Sequence, residues 1–123
     1  MVPDTNIIIS YLGGEVSVID AFSMWKLKGG YLYLSSIVEA ELLSFPKLSP
    51  YQIEIMNLFL EENFIPISFD RHIARIAAEI RRTQKVKLPD AAIAATALFL
   101  RAPLMTKNYA DFEKITNLQL VRI

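Results

Sequence analysis

Tyr31-Leu32-Tyr33-Leu34-Ser35-Ser36 passes without a break into Ile37–Phe45, and Pro46 closes the stretch. The first four residues are aromatic and aliphatic, the composition of a short buried strand. Ser35 or Ser36 offers a hydroxyl to the free N–H groups of a helix start, so the pattern predicts a helix through Glu39 and Glu41 to about Phe45. A strand that turns directly into a helix is the building unit of a parallel sheet. On the N-terminal side, Val18, Ala21, Phe22 and Trp25 share one helical face within Val16–Leu27, and Gly29-Gly30 ends that helix. On the C-terminal side, Ser49-Pro50 opens a helix over Tyr51–Glu62, and Phe64–Ile67 reads as a strand. Asp70 caps a helix in which Ile73, Ile76, Ala77 and Ile80 align, and Pro89-Asp90 begins an alanine-rich helix to about Leu100. Pro103–Thr106 is a strand, Tyr109–Ile115 a short helix and Leu118–Ile123 a last strand.

This alternation predicts an α/β domain whose mostly parallel sheet is covered by helices on both faces. Met1-Val2-Pro3 alone precede Asp4. A central strand of ordinary length has about five residues, so the first strand is either short or begins upstream of Met1.

The 123 residues make one domain, with 53% hydrophobic residues to fill a core. That composition excludes intrinsic disorder, which needs low hydrophobicity and high net charge. Formal charge sums to zero, yet residues 1–62 carry 3 basic and 8 acidic groups and residues 63–123 carry 10 and 5. Halves of −5 and +5 leave a nucleic-acid partner open, because binding follows local charge. No uncharged run exceeds ten residues, half of the roughly 20 that cross a bilayer. No signal peptide pattern begins the chain and no cysteine is present, so the expectation is a cytoplasmic protein without thiol chemistry or membrane partner.

Open α/β sheets bind ligands beyond the carboxyl ends of their strands. Asp4 follows the first strand, Glu41 lies two helical turns past Leu34, Asp90 opens its helix, and Asp111 follows the strand at 103–106. A parallel sheet brings all its strand ends to one edge, so these four acids can converge. Clustered carboxylates repel unless a cation joins them. All-oxygen donors, with no Cys and one His, favour Mg²⁺, for which Mn²⁺ can substitute. Thr5, Asn6, Thr106 and Asn108 are short polar residues able to hold the acids in place. Taken singly, the same acids also suit turns and helix starts.

Asp4-Thr5-Asn6, a serine-rich strand end followed by Glu41-Leu42-Leu43, Asp90-Ala91-Ala92-Ile93-Ala94-Ala95-Thr96-Ala97, and Thr106-Lys107-Asn108-Tyr109-Ala110-Asp111-Phe112 occur here in this order. In that combination the chain resembles the PIN-domain family, and within it the VapC-type toxins of toxin–antitoxin modules, over essentially its whole length. The resemblance implies a three-layer sandwich around a five-stranded parallel sheet. It also implies a magnesium-dependent endoribonuclease that cleaves RNA with metal-activated water, with Asp4, Glu41, Asp90 and Asp111 as catalytic and metal-binding acids. A homodimer and a cognate antitoxin that blocks the acidic site are implied as partners. The family commonly has Thr three residues before the glutamate, where this chain has Val38. Ser36, or Ser35 beside it, is the expected replacement hydroxyl. Glu39 is a rival to Glu41, but two residues apart on a helix they point about 200° apart, and the family register selects Glu41.

RNA needs cations. Arg71, Arg75, Arg81, Arg82, Lys85 and Lys87 put six positive charges into seventeen residues leading to Asp90, with Glu79 the only acid in between. Arg81, Arg82, Lys85 and Lys87 are candidate substrate contacts, and Lys107, beside Asn108, is the strongest single candidate. The cations also suit a solvated helix end. His72 sits among arginines and reads as a surface residue. Apolar residues beyond one face of the helices at 16–27 and 50–62, among them Met24, Ile53 and Ile55, leave surface for a partner protein. Other readings are an RNA-processing PIN nuclease outside a toxin–antitoxin pair and a non-cleaving PIN-like binding protein, which the four intact acids disfavour. A phosphoacceptor signalling domain would want an acidic pair after the first strand, which Asp4-Thr5-Asn6 does not supply.

Overall fold

The computed structural model describes residues 1–123. The elements run β1 (Val2–Pro3), α1 (Thr5–Leu12), α2 (Val16–Leu27), β2 (Tyr33–Ser35), α3 (Ser36–Leu43), α4 (Pro50–Asn63), β3 (Ile65–Ile67), α5 (Arg71–Thr83), α6 (Leu88–Leu100), β4 (Leu104–Met105), α7 (Tyr109–Phe112) and β5 (Leu120–Val121). Every strand pairing is parallel: Val2 with Leu104, Leu104 with Leu120, and Tyr33 with Ile65.

The single five-stranded sheet expected from sequence is present as two ladders, β1-β4-β5 and β2-β3. Met1 joins them. Its carbonyl accepts the Tyr33 N–H at 2.9 Å, and its ammonium donates to the Tyr31 carbonyl at 2.6 Å. The strands therefore lie in the order β3-β2-β1-β4-β5. The chain leaves β1 towards β2 on one side, and β4 lies on the other, so the strand order reverses between β1 and β4. Such a reversal opens a crevice at the strands' carboxyl ends.

The regular part of β1 is two residues long, and Met1 extends its hydrogen bonding by one. Val2 and Pro3 in β1 and Leu104 and Met105 in β4 are buried, so helices cover both faces. All residues from Ala91 to Ala97 of α6 are buried, where their short side chains permit close approach. Helix α5, packed on it, buries Ile73, Ala77 and Ile80 and leaves Arg71, Arg75, Arg81 and Arg82 exposed. His72 is exposed and stacks on Phe99, as its surface reading predicts.

Helix α1 is an element the sequence pattern does not announce, because Ile7-Ile8-Ile9 is a β-branched run that favours strands. Asp4 overrides that preference: its Oδ1 accepts the Ile7 N–H at 3.0 Å and caps the helix, while Ile7 and Ile8 enter the core. No single helix is long and apolar enough to cross a membrane.

Candidate active site

Asp4 stands where β1 ends and α1 begins, and is only 7% exposed. Its second oxygen, Oδ2, accepts from Thr106 Oγ1 at 2.5 Å, across the crevice at the end of β4. Thr106 is itself held, because its Oγ1 accepts the Asn108 N–H at 2.9 Å. The Asn108 side chain then donates to Asp111 Oδ2 at 2.6 Å. On the other flank, Thr5 Oγ1 donates to Glu41 Oε1 at 2.7 Å, linking α1 to α3. Thr5, Thr106 and Asn108 thus each hold one of the expected acids.

Asp90, in the first turn of α6, lies among the other three. Burial pushes its carboxyl above the usual carboxylate range, the charges of Asp111, Glu41 and Asp4 push it further, and Lys87 opposes them. Burial is also the chief cause of a raised Asp4 carboxyl. The Thr106 hydroxyl and the Ile7 N–H work against it, and Glu41 adds to it. The four acids therefore share one electrostatic site although 107 residues separate Asp4 from Asp111.

Two clefts meet at Asp90. One, of about 550 Å³, contains Asp4, Thr5, Asn6, Glu41, Asp90 and Asn108 above an apolar floor of Ile37, Ile93 and Phe112. The second, of about 400 Å³, places Asp90 and Asp111 against Arg81, Lys85 and Lys87. Glu39 lies in neither cleft, so Glu41 is the acid that α3 presents.

Other expected side chains do not meet the acids. Ser36 Oγ accepts the Phe69 N–H at 2.9 Å, tying α3 to the start of α5 rather than holding a carboxylate. Ser35 caps α3 through the Ile37 N–H. Val38 is fully buried, and the hydroxyl on Glu41 comes instead from Thr5. Asn6 contributes its backbone N–H to Asp4, and its exposed amide bonds no acid. Lys107 turns away from both clefts to an ion pair with Glu15 and a hydrogen bond with Ser10. Arg82 is exposed and lines neither cleft.

The donor set suits a hard divalent cation. No three of these acids stand close enough to enclose an ion by themselves. Mg²⁺ needs no such cage, since it keeps several waters and takes one or two carboxylates together with substrate phosphate. Convergent negative charge at Asp90, which Lys87 opposes in part, is what such a cation would offset.

The PIN-domain family model matches residues 1–118. The chain belongs to the PIN-domain family. This PIN domain is similar to a chain in the crystal structure of VapBC2 from Rickettsia felis bound to a promoter DNA fragment, at 25% identity and a TM-score of 0.86, covering 99% of this chain and 97% of that one. A toxin–antitoxin complex from Klebsiella pneumoniae contains a chain 31% identical, with a TM-score of 0.82 and coverage of 98% and 94%. VapBC-1 from nontypeable Haemophilus influenzae gives 28% identity, a TM-score of 0.84, and coverage of 98% and 96%. No curated protein sequence matches the chain. The VapC-like character expected from the motifs is borne out.

Proposed function

We propose that this PIN domain is the toxin of a toxin–antitoxin pair and acts as an endoribonuclease that uses Mg²⁺, or Mn²⁺ in its place. The observation that carries the reading is the position of Asp90, which joins an acidic cleft to a basic one. One or two of the acids Asp4, Glu41, Asp90 and Asp111 would hold the ion together with waters and substrate phosphate, and when bound it activates water and neutralises charge on the phosphate. Thr106, Thr5 and Asn108 orient three of the acids before substrate arrives, so little reorganisation is left for the reaction itself. Arg81, Lys85 and Lys87 bind the RNA backbone beside Asp90. His72, stacked on Phe99 and outside both clefts, takes no part.

An antitoxin partner is supported by the similarity to chains of toxin–antitoxin complexes. Exposed apolar side chains on α2 and α4 supply surface for it: Met24 is 53% and Ile55 49% exposed. Homodimerisation on such surface and a cytoplasmic location complete the proposal. Purified protein incubated with RNA and Mg²⁺ tests the activity. Cleavage should stop with EDTA and in Asp90→Asn. An Asp90→Asn variant that cleaves as fast as wild type would refute the assignment.

A further inference from the structure

We infer that the acidic cleft holds an unstacked RNA base against Phe45, next to the bond that is cut, while Arg81, Lys85 and Lys87 hold backbone phosphate on the far side of Asp90. The inference rests on the ribonuclease reading above and deepens it by assigning a base-binding residue.

Phe45 follows the end of α3, four residues beyond Glu41, and lines the same cleft as Asp4, Glu41 and Asp90. It is 46% exposed and stands outside the buried core, so folding does not account for its place there. Ile9, 39% exposed, lines the cleft with it, giving an apolar wall beside the acids. Asn6 lines the same cleft with an amide that bonds no other side chain, free to meet a base edge. Three carboxylates, those of Asp4, Glu41 and Asp90, make this cleft hostile to a bare phosphate chain, and the cations are collected in the other one. A strand crossing Asp90 therefore meets positive charge on one side and an aromatic face on the other. That division matches a single-stranded nucleotide, with its phosphate on cations and its base on an aromatic ring. A duplex cannot turn a base into such a cleft without unpairing it.

Short single-stranded RNAs carrying 2-aminopurine at successive positions, rapidly mixed in Mg²⁺ with wild type, Phe45→Ala and Phe45→Trp and read before cleavage proceeds, test this. In wild type, fluorescence should be quenched at one position adjacent to the mapped cleavage site. Phe45→Ala should lose that quenching and bind roughly 5- to 100-fold more weakly, and Phe45→Trp should restore both. An abasic nucleotide at that position should weaken wild type by a similar factor and leave Phe45→Ala unaffected. Equal binding and quenching by wild type and Phe45→Ala would overturn the inference while leaving the ribonuclease reading intact. So would an abasic penalty that persists undiminished in Phe45→Ala, which would seat the base elsewhere, or no abasic penalty in wild type, which would leave the apolar wall to a protein side chain. Wild type that neither binds nor cleaves RNA would instead refute the ribonuclease reading and this inference with it.

Discussion

Thr106 Oγ1 donates to Asp4 Oδ2 at 2.5 Å, joining the ends of β4 and β1 across 102 residues of sequence. Both groups are buried, and the bond fixes an acid at the point where the strand order reverses. Thr106→Val keeps the shape and removes the donor. Leaving a buried carboxylate short of a partner should cost about 1–3 kcal/mol at neutral pH, measured by urea unfolding. The hydroxyl favours the charged form of Asp4, so its loss should raise that carboxyl further. The acid limb of metal-dependent cleavage should then move to higher pH.

Thr5 performs the matching task for Glu41 from a partly exposed position. Thr5→Val should lower the cleavage rate about threefold to tenfold, the worth of one hydrogen bond. Stability should stay within about 0.5 kcal/mol of wild type, as for most surface changes. A fall in stability that matched the fall in rate would make the bond a scaffold contact only.

Asp90→Asn should make the ion-free protein more heat-stable at neutral pH even as it ends cleavage. Because the folded chain raises the Asp90 carboxyl, the folded state binds that proton more tightly than the unfolded state does. The stabilising protonated form is complete below the unfolded value and is lost as pH rises through the folded one. Wild type therefore bears the cost of the ionised group near pH 7, and the variant does not. Melting curves of the two should draw together as pH falls to about 4 and below. Adding Mg²⁺ should raise the wild-type Tm more than the variant's.

The salt dependence of RNA binding should sort the cations. Substituting Arg81, Lys85 or Lys87 with alanine should each lower the slope of log K against log salt by about 0.7, the share of one single-strand phosphate contact. Lys107→Ala and Arg82→Ala should leave the slope unchanged, since Lys107 is engaged with Glu15 and Arg82 lies outside the cleft. A smaller slope in Lys107→Ala would show that RNA draws that side chain away from Glu15.

What the sequence discloses follows from the range of each interaction. The acids are legible because a parallel sheet brings strand ends to one edge whatever their separation along the chain. Thr5 and Asn108 are legible too, each lying beside or near an acid of the candidate site. Ser36 and Lys107 misdirect for the same reason: their actual partners, the Phe69 N–H and Glu15, lie 33 and 92 residues away. Local composition carries no trace of either pairing. Helix α1 is hidden by its isoleucines and set by Asp4, whose capping role emerges only once the chain has turned.

Asp4 gives one oxygen to the start of α1 and the other to Thr106. The same carboxylate is therefore both a joint of the scaffold and a part of the proposed cutting edge. Silencing the protein there would loosen the frame at the same stroke, so a harmless but well-folded chain is better made at Asp90.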